Sequence, residues 1–461
     1  MIQVYVDCPP SFSKCAEYVL AEIFNILKMP CAFSQSTEDH FDVYYGRNDS
    51  LARKARIAIL GDDYANWVRF KPSISWIDGI PVLHTNRKPK NIVTREGENA
   101  TFQFDFVMAC FYLLARIEEI VDSRRDQWSC FSGKYSVLYE LGILEVPIVN
   151  LYCQVLMQLL SSMLPDGVRE RRTEWKDGKR FAVALTHDVD TPLRGYRGAI
   201  GRMLQKSSFI APAKPRDPYW NFDNWIALEQ KYGFKSAFFF YASADRHPLD
   251  PHYDIGDALF SKLIRKIDDL GWEVGLHGSY QSYNNAGLLL KEKARLERIL
   301  KKNIEGVRQH YLRFDIRSTW KEQSRAGFLY DATLGYNEAL GFRAGIAHPF
   351  HAFSEIDSKR LAIVELPLTI MDGVLFSEAP KDIEGATRRC LAILERTKES
   401  GGCASILWHQ RVWDDKDYPG WREVYENILR HLRKEDAWVT SPNEIVKWCG
   451  QQHAGLSDTM L

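Results

Sequence analysis

The sequence has no Cys-x-x-Cys pair, and its nine cysteines are scattered and odd in number. That excludes a disulfide framework or a structural zinc knuckle as the organising device. It has no excess of charge of one sign: Lys+Arg and Asp+Glu both number 60. Nothing therefore pulls the whole chain toward nucleic acid or an acidic membrane surface. No stretch is long enough and apolar enough to span a bilayer. The opening residues, Met1-Ile2-Gln3-Val4-Tyr5-Val6-Asp7, lack both a basic segment and a long apolar one. The expectation is a cytoplasmic protein with reduced thiols. Internal repeats and low-complexity segments are missing as well. What is present is 461 residues, 45% hydrophobic and 13% aromatic, enough for substantial cores. Two domains are the natural division of that length.

The most informative stretch is Thr186-His187-Asp188-Val189-Asp190. The run before it, Phe181-Ala182-Val183-Ala184-Leu185, is short, apolar and uninterrupted, as a strand buried on both faces should be. Thr191 and Pro192 follow and cannot continue a central strand. Two carboxylates and an imidazole thus stand at the C-terminal tip of a buried strand, the edge where parallel α/β sheets and barrels bind ligands. Asp188 and Asp190 are two apart and face the same way on an extended backbone. Carboxylates that close repel unless a cation lies between them or one is protonated. A metal site with an adjacent base resolves the repulsion most simply; an ordinary capping Asp in a βα loop is the alternative.

Residues 1–165 read as a separate, smaller α/β domain. Ile2–Val6, Phe41–Tyr45 and Ile57–Leu60 are strand candidates. Phe12–Leu27, Asp105–Val121 and Pro147–Leu164 have helical spacing, with Phe106, Cys110, Leu113, Leu114 and Ile117 on one stripe. No catalytic constellation appears here. His40 and His84 stand alone and read as surface or loop residues. The cluster Glu118, Glu119, Arg124, Arg125 and Asp126 reads as a solvated helix end. Residues 166–180 have the polar, charged composition of a linker. From 181 to 450 short strands alternate with helices, about seven βα units, which predicts a distorted (β/α) barrel of the seven-stranded type. Residues 195–216 interrupt this as a basic loop after the first strand, a lid, an anion-binding element or a plain insertion. Residues 451–461 are a tail.

Three further strand ends present histidine: His277 after Glu273–Leu276, His310 after Gly306-Val307, and His409 after Ile406-Leu407-Trp408. Three such residues on one rim, facing an Asp pair, are hard to obtain by chance among 12 histidines. Imidazole and carboxylate together suit Zn²⁺ or another divalent first-row metal. His247, His252, His348, His351 and His431 lack this placement.

In order and spacing, residues 180–450 resemble the polysaccharide deacetylases, carbohydrate esterase family four. That family's Thr-Phe-Asp-Asp-Gly motif corresponds to Thr186-His187-Asp188-Val189-Asp190, here as an Asp-x-Asp variant. Its His-Ser/Thr-x-x-His motif is matched by His277, but Gln281 stands where the second His belongs. Its Arg-x-Pro-Tyr motif corresponds to Arg308-Gln309-His310-Tyr311, with His in place of Pro. Leu407-Trp408-His409 matches its Leu-x-His motif. Tyr330–Tyr336 and Gly341–Gly345 look like its fourth region. The part before residue 165 resembles, more weakly, a poorly characterised domain found ahead of such deacetylases in bacterial polysaccharide gene neighbourhoods.

The resemblance implies a metal-dependent hydrolase that removes N-acetyl or O-acetyl groups from a carbohydrate. It makes Asp188 the general base, Arg308 its orienting partner, His409 the general acid and Asp190 and His277 metal ligands. The backbone N–H at Tyr311 joins the oxyanion site. One loss at Gln281 and one gain at His310, both beside the metal, suggest that the third ligand has moved to His310, since a neutral amide oxygen is a poor partner for Zn²⁺; the alternative is that His310 only hydrogen-bonds substrate while Gln281 or a water fills the site. Trp408, Tyr280 and Tyr311 are candidate sugar platforms, with core packing the equal alternative for Trp408. Arg343 and Glu365 complete the candidate substrate contacts, Glu365 alternatively through a hydrogen bond behind the site. Two other readings stay open: an amidohydrolase for a small non-sugar amide, and a degenerate sugar-binding protein without activity.

Overall fold

The computed structural model describes residues 1–461 except 39–40, 86–87, 164–173, 195–216, 246, 379–380 and 455–461. The basic loop 195–216, most of the expected linker and most of the tail therefore lie outside the described residues.

The first region is built on β1 (Ile2–Asp7), β2 (Cys31–Phe33), β3 (Val43–Gly46), β4 (Ile57–Leu60), β5 (Ser73–Ile77), β6 (Ile80–His84), β7 (Val93–Glu96) and β8 (Asn99–Phe102). Six of these form a sheet of order β2-β1-β3-β4-β8-β7, parallel except for the β7–β8 hairpin. β5 and β6 pair separately as an antiparallel hairpin. His84 is not a loop residue: it ends β6, is buried, and its Nε2 lies 2.9 Å from Ser75 Oγ.

The helix expected over Asp105–Val121 is two helices, Phe106–Leu114 and Ile117–Val121. Arg116 breaks it, in the left-handed region at φ 51°. The break turns its guanidinium inward. Its Nε donates to Glu119 Oε1 (2.8 Å), and it pairs with Glu118 and with the carbonyl of Arg343. Arg343 in turn donates from Nη2 to Glu119 Oε2 (2.7 Å) and from Nη1 to the Gly335 carbonyl (2.6 Å). The expected solvated helix end is thus half wrong. Glu118 and Glu119 are buried with two arginines, because the helix break turns Arg116 inward and Arg343 arrives from the far side of the chain. Only Arg124 of that cluster is well exposed.

The second region carries β9 (Ala182–Val189), β10 (Ala237–Tyr241), β11 (Glu273–Gly278), β12 (Gly306–Gln309), β13 (Tyr330–Asp331), β14 (Phe350–Ser354), β15 (Lys359–Glu365), β16 (Ile370–Met371), β17 (Cys403–Leu407) and β18 (Trp438–Thr440). Their order is β14-β15-β13-β12-β11-β10-β9-β17-β16, with β18 alongside the start of β9. All pairings are parallel except β14–β15. β15 and β16 sit near opposite ends of this path, yet only residues 366–369 separate them in the chain. Those residues can span at most roughly 18 Å, so the sheet must curl round on itself. The connecting segment closes the gap irregularly: Leu366 N donates to Asp331 O, Leu368 N to Leu334 O, and Thr369 N to Ser405 O. The result is the expected distorted (β/α) barrel. Its two shortest strands, β13 and β16, have two residues each and leave no periodic signal.

One hydrophobic core runs through both regions. Phe353 of β14 packs on Tyr18 and Phe111 of the first region (ring centroids 4.7 and 5.4 Å). Trp175, inside the expected linker, is buried beside Trp438, Trp448 and His348. All nine cysteines are free. Among the described residues no helix is long and apolar enough to cross a membrane.

Candidate active site

The C-terminal ends of β9, β11, β12, β16 and β17 surround a cavity of about 450 Å³, within the usual range for small-molecule sites. Alternation along β9 decides which side chains enter it. Thr186, Asp188 and Asp190 turn inward. His187 turns out into the helix layer, where its Nε2 meets Glu229 (2.8 Å) and its Nδ1 meets the Trp408 carbonyl (2.5 Å). His187 therefore fixes the strand and stays out of the cavity.

Asp188 is held by Arg308, whose Nη1 donates to Oδ1 at 2.9 Å. Arg308 is itself fully buried and fixed by Thr186 Oγ1 (2.8 Å) and the Ala332 carbonyl (2.8 Å). A charged hydrogen bond of this kind keeps Asp188 aimed into the cavity. Opposite, His409 rests on Asp372, which accepts both from the His409 backbone N–H (2.8 Å) and, through Oδ1, faces Nδ1 at 2.7 Å. Burial disfavours the imidazolium, but the Asp372 and Asp190 carboxylates overcome this and push His409 up to about 10. It carries a proton at neutral pH.

Between these pairs lies a candidate metal centre. Ligand atoms of Asp190, His277 and His310 all lie within 4.8 Å of one another. Asp190 Oδ1 is 3.2 Å from His277 Nε2 and 4.0 Å from His310 Nε2; it is buried and accepts no hydrogen bond of good geometry. The Nδ1 atoms of both histidines are engaged elsewhere, His277 with the Arg308 carbonyl (3.0 Å) and His310 with Asp250 (3.3 Å). That is how a second layer of contacts aims Nε2 at a metal. Burial would raise the Asp190 carboxyl; the nearby His409, His277 and Arg411 instead hold it well below the usual range. Burial lowers His310, keeping it neutral as a ligand must be. One carboxylate and two imidazoles fit Zn²⁺ with a position left for water. Gln281 is exposed and outside this group.

The remaining candidates fare unequally. Tyr311 lines the cavity. Trp408 does not: it is fully buried against Phe376 and Tyr425, because alternation turns Leu407 and His409 inward and Trp408 outward. Tyr280 lies behind the wall, stacked on His247 (4.7 Å) and under Arg313 (3.9 Å), so it offers no open face to a sugar. Arg343 is consumed by Glu119, and Glu365 is buried with Asp331, accepting from Trp320 Nε1 (2.8 Å) and Leu334 N (3.2 Å). Burial raises both carboxyls of that pair, Asp331 to about 6, and the Asp331 charge raises Glu365 further, while the contact with Glu365 lowers Asp331. Neither Arg343 nor Glu365 reaches the cavity.

Sequence reasoning missed Asp372, Asp250 and Arg411, whose Nη1 donates to Asp190 Oδ2 at 2.9 Å. Asp372 follows Ile370-Met371 directly, so the strand-end rule applied to a two-residue strand finds it. Asp250 sits in the loop after β10 and has no such signal.

The turn that carries His310 is strained. Tyr311 and Leu312 occupy the left-handed region in succession, at φ 58° and 49°. Each non-glycine residue held there costs on the order of 1–3 kcal/mol and persists only where surrounding contacts enforce it.

Comparison with known proteins adds the following. A family of unknown function, DUF7033, matches residues 4–165. Among curated proteins there is no match. Among solved structures, similarity extends to a Mycobacterium smegmatis protein assigned as a polysaccharide deacetylase, at 19% identity over 62% of this chain and 96% of that one, TM-score 0.43. The PuuE allantoinase shares 15% identity over 60% and 93%, TM-score 0.44. A variant of the peptidoglycan deacetylase PdaC from Bacillus subtilis shares 12% over 59% and 94%, TM-score 0.31. At these scores the likeness does not reach the placement of individual side chains.

Proposed function

We propose that the cavity is the active site of a metal-dependent hydrolase that removes an N-acetyl or O-acetyl group from a saccharide or glycan precursor. One observation carries this reading: the buried Asp190 oxygen, without a hydrogen bond of good geometry, facing two aimed imidazoles and flanked by an arginine-held Asp188 and an aspartate-held His409. Asp190, His277 and His310 would hold the cation. When bound, a divalent cation supplies a water of pKa near roughly 7 and positive charge for a developing oxyanion. Asp188 takes the proton from the attacking water, and Arg308 holds it in place. The Tyr311 backbone N–H adds a donor for the oxyanion. His409 gives its Nε2 proton to the departing amine or alcohol as the bond to carbon breaks. The retained Asp188–Arg308 and Asp372–His409 pairs speak against a pure sugar binder, which needs neither.

A second reading, hydrolysis of a small non-sugar amide, uses the same groups. It is favoured by one fact: of the three expected sugar platforms only Tyr311 lines the cavity. Assay of N-acetylated saccharides and small amides, before and after chelation and Zn²⁺ add-back, separates them. Acetate released from saccharides, lost on chelation and regained with Zn²⁺, is the expected result. Chelation-insensitive turnover refutes the metal dependence, and no turnover on either class with Zn²⁺ bound refutes the hydrolase reading.

A further inference from the structure

The first region of the chain reaches the barrel rim beside the strained turn. Asp126 folds the segment over: its Oδ1 accepts from Trp128 N (2.8 Å) and Cys130 N (2.9 Å), and its own N–H donates to Cys130 O (2.8 Å). This presents Trp128, half-buried, to the rim. Its indole stacks on Tyr311 with centroids 4.8 Å apart and planes at 20°. Its carbonyl accepts from Arg313 Nε at 3.1 Å, just past the turn. On the turn's other side Asn337 Nδ2 donates to the Tyr311 carbonyl at 2.8 Å. The loop bearing Asn337 is gripped by the same region, through Gly133 N to Glu338 Oε1 (2.6 Å) and the Glu119–Arg343 pair.

We propose that Trp128 is a positioning residue of the metal site: the first region, through this indole, holds the His310–Leu312 turn in the shape that sends His310 into the cavity. The strain in two successive left-handed residues must be opposed by contacts; Asp250 holds the His310 ring itself, and Trp128 and a loop that the same region anchors hold Tyr311 and the chain beyond it. Without the stack, the turn relaxes and His310 Nε2 moves off Asp190 and His277. The inference rests on His310 being a metal ligand, as in the reading above. It gives the first region a role at the chemistry although it contributes no side chain that touches the cation.

The test is Zn²⁺ affinity of the full chain by competition with a chromophoric chelator, with thermal unfolding of each variant measured alongside. Trp128→Ala should weaken Zn²⁺ binding by about tenfold or more, the range seen when the support of a metal ligand is removed. Trp128→Phe, which keeps a ring against Tyr311, should restore most of it. Trp76→Ala, on the exposed face of β5, should change nothing. A lower unfolding temperature with Zn²⁺ affinity intact would reduce Trp128 to a packing residue and overturn the proposal. Should Trp128→Ala not fold, Trp128→Leu keeps bulk without the ring face, and unchanged affinity there overturns it equally. His310→Ala separates the two ideas. If it loses Zn²⁺ while Trp128→Ala does not, the positioning role alone is wrong; if it binds as wild type, both are.

Discussion

Asp188→Asn is expected to keep a divalent cation bound and to lower kcat on the acetylated substrate by roughly 10²–10⁴, the contribution of a positioned general base. The substitution keeps an amide oxygen for the Arg308 bond and removes the charge that accepts a proton. Because Arg308 is fully buried, losing its counter-charge will also reduce stability. Zn²⁺ affinity is therefore measured with turnover, on protein shown to be folded. The base role predicts that affinity stays within a few-fold while kcat collapses. Loss of the cation would make Asp188 a ligand; near-normal kcat would leave it without a chemical role.

The largest effect on stability is expected at Glu119. Its carboxylate joins Arg343 and Arg116 in a site where all three are essentially shut off from water. Removing one partner of a buried ion pair typically costs about 3–5 kcal/mol, because the remaining charge is left uncompensated. Glu119→Ala leaves Arg343 without a carboxylate partner and Arg116 with Glu118 alone. A loss of this size is a large share of the stability of an ordinary domain, and the denaturant midpoint should fall accordingly. The pH dependence has a definite sign. Burial opposes the charge on Glu119, but Arg343 and Arg116 hold its carboxyl below the usual range. Its contribution is present above the unfolded-state carboxylate pKa and is lost as pH falls through the depressed folded value. A midpoint within experimental error of wild type would mean that the network is not the joint between the two regions.

Much of the candidate site could be read from the sequence because buried parallel strands announce themselves. Ala182–Leu185 and Ile406-Leu407 are continuous apolar runs, and the polar residue at the end of such a run has few places to go but the ligand-binding rim. That reasoning reached Asp188, Asp190, His277, His310 and His409. It also had the means to exclude Trp408, since period-two alternation puts it on the face opposite Leu407 and His409. Asp372 escaped because β16 is too short to show a pattern. Arg343 and Glu119 escaped for another reason. They lie 224 positions apart in the chain, and a charge cluster read locally looks solvated when its counter-charges arrive through tertiary structure. The same holds for Trp128 and Tyr311. The apparent linker at 166–180 marks a change in composition, yet the hydrophobic core continues across both regions. Local composition reports how a chain is punctuated, and packing between distant segments decides what is shared.

The ligand set is the claim on which the rest depends, and X-ray absorption of the Zn²⁺-loaded protein, titrated to stoichiometry, tests it most directly. The proposed ligand set predicts one equivalent of zinc with two imidazoles and a carboxylate oxygen around it, lost in His310→Ala and kept in Gln281→Ala. No stoichiometric zinc in the wild type, or zinc kept by His310→Ala and lost by Gln281→Ala, would contradict it.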